Sequence, residues 1–186
     1  MEGVSLKSLR DRPFELLQEL ERRGRAMSAQ AGQEATAGRE WVGVALRMSG
    51  ELFLAAREET REVLSVPSSL TRVPGAKSWI RGLANVRGQL LPIIDLRQFI
   101  GSGVAPATRN TRIVVVNHRE IPAGLLVDEV LGFRRFAETE FSGDVPPTVA
   151  RCERYLAGAF RRGQEQWPVL SLRAVLESAA FAEAAA

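Results

Sequence analysis

One pattern occurs twice in this chain, and it limits the folds that the sequence can adopt. Gly82 and Gly158 each stand ten residues before a proline, at Pro92 and Pro168. The residues that follow the two prolines, IIDLRQFI and VLSLRAVL, repeat one spacing of apolar side chains. Two halves of about 65 residues each are too small to be robust alone. The repeat therefore predicts two related halves that share a core or exchange strands.

The two copies differ at the turn between the repeated glycine and proline. The first copy reads NVRG over 85–88, whereas the second reads RRGQ over 161–164. Asp95 of the first copy and Ser171 of the second are both good helix N-caps, which indicates a structural role for each. Residues that the two copies share are explained by the fold. The unshared turn at 85–88 is therefore the candidate for a functional role.

Composition divides the chain into three parts. Residues 6–26 carry an apolar stripe at helical spacing, which predicts an amphipathic helix that packs on the protein or docks a partner. Residues 27–40 are small and polar and contain glycine, which predicts a flexible linker. The predicted organisation is an N-terminal helix and linker over 1–40, a globular domain over 41–178 with halves at 41–104 and 111–178, and an Ala-rich tail over 179–186.

The globular part reads mainly as short β-strands. Apolar residues alternate over 42–48, and glycine, proline or asparagine marks the turns between later apolar runs. Many short strands, with helices only at joints and ends, are typical of small β-barrels. Strands are predicted over 42–48, 51–55, 60–64, 80–86, 90–94, 112–116, 121–130 and in a hairpin over 156–170, loops over 101–110 and 137–147, and short helices over 96–100, 149–153 and 172–177.

The sequence carries no pattern of a catalytic or metal-binding site. It has neither a GxxxxGK[ST] phosphate loop nor a GxSxG nucleophile elbow. His118, the one histidine, lies in a predicted turn, and structural zinc needs four protein ligands. Cys152 is the one cysteine, so no internal disulfide can form, which fits a reducing cytosol. We therefore expect a protein that is not an enzyme and that uses no cofactor or metal.

Hydropathy and charge narrow the possible partners. No run of 18 apolar residues occurs, so we expect no direct membrane insertion. The net charge is only +3, with both signs interspersed, which favours an ordinary solvated surface. A small-barrel module that binds nucleic acid is the alternative, because such modules combine basic and aromatic side chains on one face. The residues that fit this alternative are Tyr155, Phe160, Arg161, Arg162 and Trp167.

Three stretches resemble a known family. IRGLANVRGQLLPIIDLRQFIG resembles the signature of the CheW family of chemotaxis coupling proteins, in which a strand ending Asn-x-Arg-Gly leads through a turn to Pro-x-x-Asp-Leu. GLLVDEVLGF is similar to that family's second apolar strand, and YLAGAFRRGQEQWPVLSLRAVL to its last hairpin and helix. The resemblance covers residues 41–177. The N-terminal RPFELLQELERRGR, followed by a loop and EWVGV, is similar to the PilI-like branch of the family.

The resemblance implies both a fold and a function. The implied fold is two five-stranded, SH3-like β-barrels joined around a shared core. The implied function is a non-catalytic adaptor that links the cytoplasmic tip of a methyl-accepting chemoreceptor to the regulatory domain of a CheA-type histidine kinase. The PilI-like branch implies control of type IV pili and twitching motility. Such an adaptor is expected in the cytoplasm, recruited to receptor arrays at the inner membrane, and without nucleic acid as a partner.

The resemblance also implies roles for residues around the unshared turn. Glu62 lies where the family pattern carries a glutamate, so we expect it to pair with Arg87 on the face that meets the receptor. Asn85 is expected to fix the turn by hydrogen bonding to nearby backbone. Gly88 is expected to supply a positive φ in the hairpin.

Two valines complete the candidate site. Val127 and Val130 lie on an apolar strand and are core residues by default. The family resemblance instead places nearby apolar side chains in a groove where a helical receptor tip could dock, and both readings stay open. The candidate receptor- or kinase-binding residues are therefore Glu62, Asn85, Val86, Arg87, Gly88, Val127 and Val130.

Overall fold

The computed structural model describes residues 39–104 and 106–183. This part of the chain forms eleven β-strands. The strands are β1 Glu40–Met48, β2 Glu51–Ala56, β3 Thr60–Ser65, β4 Ile80–Val86, β5 Gln89–Asp95, β6 Arg112–Val116, β7 Gly124–Val127, β8 Glu129–Ala137, β9 Phe141–Ser142, β10 Leu156–Arg162 and β11 Glu165–Leu170. The α-helices are α1 Leu96–Ile100, α2 Leu172–Leu176 and α3 Ala179–Ala182, and short 3-10 turns cover Arg57–Glu59, Glu138–Glu140 and Glu153–Tyr155. The predicted amphipathic helix over 6–26 lies outside the described residues.

The strands form two mixed sheets, which confirms the mainly β fold. The six-stranded sheet has the order β8-β1-β2-β11-β10-β9, and the five-stranded sheet has the order β3-β6-β7-β5-β4. Each sheet contains strands from both halves of the sequence. Strands β1 and β2 pair with strands from the second half, and β6 and β7 pair with strands from the first half. Each sheet is therefore completed by a hairpin from the other half of the chain.

The repeated glycines have one structural explanation. Gly82 in β4 has a φ of 137° and Gly158 in β10 has a φ of 141°. Both stand where the hairpin register shifts, as in a β-bulge. A Cβ at Gly82 would overlap the backbone carbonyl of Thr71, and one at Gly158 would overlap that of Ser142. A neighbouring backbone thus approaches each hairpin so closely that only glycine fits.

Replacing Gly158 with alanine is expected to lower the free energy of unfolding by at least about 2 kcal/mol, because the new methyl group adds overlap to backbone strain. Gly50 provides the matched control. It also has a positive φ, 84°, but a Cβ added there would meet no atom of the described residues within 4 Å beyond its own chain neighbours. Gly50→Ala should therefore cost only about 1–2 kcal/mol of conformational strain. Urea unfolding measures both variants, and equal losses would refute the close-approach explanation.

The capping residues of the repeat are also equivalent in structure. The Asp95 carboxylate accepts a hydrogen bond from the backbone N–H of Gln98 at 3.2 Å at the start of α1. The Ser171 hydroxyl accepts one from the backbone N–H of Ala174 at 3.1 Å at the start of α2. Gly101, with a φ of 85°, ends α1 in the left-handed conformation. The predictions that assigned Asp95 and Ser171 to the fold are confirmed.

Three apolar clusters stabilise the two sheets. One lies inside the five-stranded sheet around Ile93 and Ile113, and another lies inside the six-stranded sheet around Leu54 and Phe160. The largest lies between the sheets and combines residues of both. Its fully buried members include Leu46, Met48, Phe53, Leu96, Val114, Leu125 and Leu170. The shared core expected from the repeat is therefore present, and it removes most of the apolar surface that small separate barrels would expose.

The predicted continuous strand over 121–130 is wrong. The chain leaves the five-stranded sheet when β7 ends at Val127 and enters the six-stranded sheet when β8 begins at Glu129. Asp128 lies between them, and its carboxylate accepts the backbone N–H of Ser49 at 2.8 Å. Its own N–H donates to the carbonyl of Arg47 at 3.1 Å. These long-range bonds stop the strand within a run that is apolar on both sides.

The second half differs from the prediction in smaller ways. The predicted loop over 137–147 contains a 3-10 turn and the two-residue strand β9. The predicted helix over 149–153 is a turn followed by the 3-10 segment Glu153–Tyr155. The closing helix ends at Leu176, and α3 begins separately because the hydroxyl of Ser178 accepts from the backbone N–H of Phe181 at 3.3 Å. Short-range capping therefore divides a stretch that composition favours as one helix.

Candidate functional site

The unshared segment forms the tight turn of the β4–β5 hairpin. Arg87 and Gly88 are its two central residues, with φ values of 53° and 83°. Positive φ at both positions is the mark of a type I′ turn, whose twist matches that of the strands. The Asn85 side-chain oxygen accepts the backbone N–H of Gly88 at 2.9 Å. The structural roles predicted for Asn85 and Gly88 are therefore confirmed.

Arg87 occupies a conformation that arginine rarely adopts. A left-handed backbone costs a residue with a side chain about 1–2 kcal/mol, whereas glycine adopts it freely. In the second copy of the repeat, Gly163 stands at the position equivalent to Arg87, with a φ of 61°. The fold therefore accepts glycine at this position, and arginine is the more costly choice. Ser49 and Arg151 also have positive φ, 55° and 54°, so this conformation alone does not single out Arg87.

An ion pair holds the Arg87 side chain against the neighbouring strand. Its Nη2 lies 2.8 Å from Oε2 of Glu62 on β3. Strands β3 and β4 are the two edges of the five-stranded sheet, so the pair joins those edges. The Arg87 side chain is 78% exposed and that of Glu62 is 20% exposed, so the pair contributes only about 0–1 kcal/mol to stability. The expected pair between Glu62 and Arg87 is present.

A groove lined by both charged and apolar side chains lies beside this pair, between the edge strands β3 and β8. It has a volume of about 530 Å³, and Glu62 forms part of its wall. Val63 is 38% exposed and Phe133 is 63% exposed at its surface, and the bulge glycine Gly132 lies next to Phe133. Arg87 lines the adjoining smaller cavity and not the groove, and the two share Glu62. Exposed apolar side chains on a concave surface can receive the apolar face of an amphipathic helix.

The candidate valines differ in whether they line this groove. Val130 is partly exposed and lines it. Val127 is 2% exposed and packs in the core between the sheets, so its side chain is not available to a docked partner. Val86 is half-buried against the core of the five-stranded sheet and borders a smaller cavity of about 150 Å³. Only Val130 of the three lines the groove.

Phe133 was missed by the sequence analysis. The predicted strand stopped at Val130, so the residues after it were assigned no face or neighbour. In the structure β8 continues to Ala137, and Phe133 lies opposite Val44 of β1. The sequence offered one signal for Phe133. It is an aromatic residue that follows the glycine of the LGF segment, just beyond the predicted strand.

The second hairpin carries an ion pair of its own, with different geometry. Arg162 contacts both carboxylate oxygens of Glu140 at 2.8 Å and lies 4.4 Å from the centre of the Phe136 ring. The hydrogen bonds from Arg162 and from the Ala137 backbone lower the pKa of Glu140 from 4.5 to about 2. This arginine is held by neighbours on several sides, whereas Arg87 extends into solvent.

Acidification should therefore weaken the fold through Glu140. The folded carboxylate stays ionised down to about pH 2, whereas the unfolded one takes up a proton near pH 4.5. Its stabilising contribution is complete above pH 4.5 and is lost as the pH falls toward 2. We expect Glu140→Gln to have a flatter dependence of unfolding free energy on pH between 5 and 2.5 than the parent chain. The comparison uses urea unfolding at each pH, and parallel curves would contradict the assigned pKa.

The positions of its residues do not support the nucleic-acid alternative. Phe160 is 2% exposed and Tyr155 is 4% exposed, so neither can stack on a base. Arg162 is engaged by Glu140, and Arg161 lies 3.6 Å from Asp144. A binding face for single strands needs exposed aromatic side chains beside free cations. These residues do not form such a face.

Cys152 and His118 are both engaged by neighbouring parts of the fold. Burial raises the pKa of the Cys152 thiol. The Nδ1 atom of His118 accepts the backbone N–H groups of Glu120 and Ile121, and its Nε2 lies 3.2 Å from Glu177. Within 39–104 and 106–183, no three His, Cys, Asp or Glu residues cluster in a way that could hold a metal. In the same part of the chain, no helix has the length and apolar content needed to cross a bilayer.

A family model and two known proteins match this sequence. The family model for the CheW-like domain matches residues 43–180. Protein PilI of Pseudomonas aeruginosa is 39% identical over 173 residues, which cover 93% of this chain and 96% of PilI. Chemotaxis protein CheW of Bacillus subtilis is 42% identical over 59 residues, which cover 32% of this chain and 38% of that protein.

A solved structure supports the fold. The scaffolding protein TtCheW from Thermoanaerobacter tengcongensis superposes with a TM-score of 0.66 at 24% identity, covering 76% of this chain and 96% of that chain. The family match includes both sheets and the unshared turn between β4 and β5, since it begins at residue 43 and ends at residue 180. The chain therefore belongs to the CheW family.

Proposed function

We propose that this protein is a non-catalytic signalling adaptor that couples methyl-accepting chemoreceptors to a CheA-type histidine kinase in the control of type IV pili. Family membership and the extended similarity to PilI support this assignment. The similar proteins are named a chemotaxis protein and a scaffolding protein. The observation that carries the proposal is Arg87, a strained and exposed arginine at a turn where the repeat uses glycine.

The receptor contact is proposed at the groove between β3 and β8. A helical receptor tip would lay apolar side chains against Phe133 and Val130 in the groove, and its carboxylates would reach Arg87 in the adjoining cavity. Glu62 holds that guanidinium in place before the partner arrives, which reduces the ordering cost of binding. Asn85 and Gly88 set the turn that presents Arg87, so they act through it.

The kinase contact is proposed at the ends of the sheets, where a barrel of the adaptor would pair with a similar barrel of the kinase. Membership of the CheW family supports this arrangement. The adaptor would act in the cytoplasm and reach the inner membrane through the receptor.

A kinase assay tests the proposal. The full chain is mixed with receptor-containing membranes and a CheA-type kinase, and phosphoryl incorporation is followed. We expect stimulation of the kinase that depends on the adaptor and that Phe133→Asp removes, because a charge would be buried in the groove. Val149→Asp is the matched control, since Val149 is an apolar residue that is 76% exposed and does not line the groove. Kinase activity that is unchanged by the adaptor would refute the proposal.

A further inference from the structure

A second surface of the protein carries a cluster of positively charged side chains. The loop between β3 and β4 borders a cleft of about 500 Å³ that is lined by Arg72, Lys77 and Arg81. Among the described residues, no aspartate or glutamate lines this cleft. Arg81 lies 3.9 Å from Asp95, but that carboxylate is 4% exposed and already accepts two hydrogen bonds from Gln98. Arg72 and Lys77 therefore face a cleft whose wall, within the described part of the chain, contains no carboxylate.

An apolar groove adjoins the cleft. It has a volume of about 710 Å³ and shares Val73, Ala76 and Ile80 with the cationic wall. Trp79 forms its floor, where the indole packs edge-on against Phe99 at 5.0 Å between ring centroids. The two cavities together form one surface with a cationic side and an apolar side.

The acidic residues of this surface lie elsewhere on the groove. Glu120 and Glu177 line the apolar groove but not the cationic cleft. Glu177 lies 3.2 Å from His118. Charge thus changes sign across the surface, from the cleft to the acidic part of the groove. A ligand that matches it carries negative charge on one flank of an apolar stripe.

The second copy of the repeat shows what the fold itself requires of this loop. In the equivalent loop before β10, Glu51 accepts the backbone N–H groups of Val149 and Ala150 at 2.8 and 2.9 Å. Glu153 accepts the backbone N–H of Thr148 at 2.7 Å. The second loop is thus bonded by carboxylates of the protein, whereas the first loop faces a cleft lined by cations. The cations of the first loop are therefore not a requirement of the repeated fold.

We propose that this surface docks an acidic amphipathic segment of a partner protein. Carboxylates of the segment would contact Arg72, Lys77 and Arg81, and its apolar side chains would enter the groove over Trp79. The cavities involved share no lining residue with the groove between β3 and β8. The site is thus separate from the receptor contact and extends the proposed function with another partner surface.

The charge distribution favours a peptide over an anionic membrane. A membrane surface would bring phosphates against Glu120 and Glu177 as well as against the cations. Like charges at an interface are unfavourable, so a broad anionic surface fits poorly. A segment with acidic residues on one flank avoids that repulsion and also fills the concave apolar groove.

Fluorescence anisotropy with synthetic peptides tests the proposal on the full chain. The probe is a labelled helical peptide of about 18 residues with an apolar stripe of Leu, Glu on one flank and Lys on the other. We expect it to bind, and we expect Arg72→Glu combined with Lys77→Glu to weaken binding about tenfold at low salt. A second pair of exposed arginines, changed as Arg134→Glu with Arg161→Glu, is the matched control and should leave the affinity within about twofold.

Any of the following results would overturn the inference. One is an absence of binding by the Glu-flanked probe. Another is equal binding of a probe in which serine replaces every leucine. The third is unchanged affinity in the Arg72→Glu, Lys77→Glu variant, or binding of phosphatidylglycerol vesicles in place of the peptide. The kinase assay with Phe133→Asp is read separately, so failure here is distinguishable from failure of the adaptor function.

Discussion

Replacing Arg87 with glycine is expected to abolish receptor-dependent kinase stimulation while the protein stays folded. Glycine relieves about 1–2 kcal/mol of left-handed backbone cost at a φ of 53°. Loss of the exposed pair with Glu62 removes about 0–1 kcal/mol, so the free energy of unfolding should change little. Glycine adopts positive φ without steric cost, so the turn should keep its backbone conformation. Urea unfolding and the kinase assay measure the two quantities.

Conservative variants separate the contribution of the planar guanidinium group of Arg87 from that of its positive charge. Arg87→Lys keeps the charge but loses the planar group that can bind a carboxylate through two bonds. We expect partial stimulation from Arg87→Lys and none from Arg87→Gly. Glu62→Gln should lie between the wild type and Arg87→Gly, because the guanidinium remains but is less well oriented. Full stimulation by Arg87→Gly would exclude the arginine from the receptor contact.

Asp128→Ala is expected to lower the free energy of unfolding by about 2–3 kcal/mol. Asp128 lies at the crossing between the two sheets, and both of its carboxylate oxygens accept from Nη1 of Arg97 at 3.2 Å. It also accepts the backbone N–H of Ser49 at 2.8 Å. The buried Nε of Arg97 has no hydrogen-bond partner within the described residues, so alanine would leave that guanidinium largely unpaired. Urea unfolding measures the loss.

Asp128→Asn separates charge from hydrogen bonding. The amide oxygen can still accept from Ser49, but it no longer neutralises Arg97. We expect roughly half the loss of the alanine variant. A loss below about 0.5 kcal/mol for Asp128→Ala, as for an ordinary surface change, would show that the crossing does not depend on this carboxylate.

Features set by neighbouring residues could be predicted from the sequence. The β4–β5 hairpin, the caps at Asp95 and Ser171 and the stop at Gly101 depend on turn and capping chemistry within a few residues. The repeated glycines were recognised as part of the fold, although the carbonyl that each accommodates comes from a distant segment. The pair between Glu62 and Arg87 followed from the family pattern and is present.

Features set by distant contacts could not be predicted. GLLVDEVLGF is apolar on both sides of Asp128, so no local signal marks the change of sheet. Ser49 and Arg97, which bind Asp128, lie 79 and 31 residues away. Val127 and Val130 consequently belong to different sheets, and one is buried while the other lines the groove. Phe133 was missed for the same reason.

Formation of a three-component complex tests the central claim most directly. The full chain is mixed with a receptor cytoplasmic fragment and the regulatory domain of a CheA-type kinase, and the masses in solution are measured by sedimentation velocity. We predict that receptor and kinase fragments sediment together only when the adaptor is present, and that Arg87→Gly loses the receptor but keeps the kinase domain. Separate sedimentation of all three components would contradict the account.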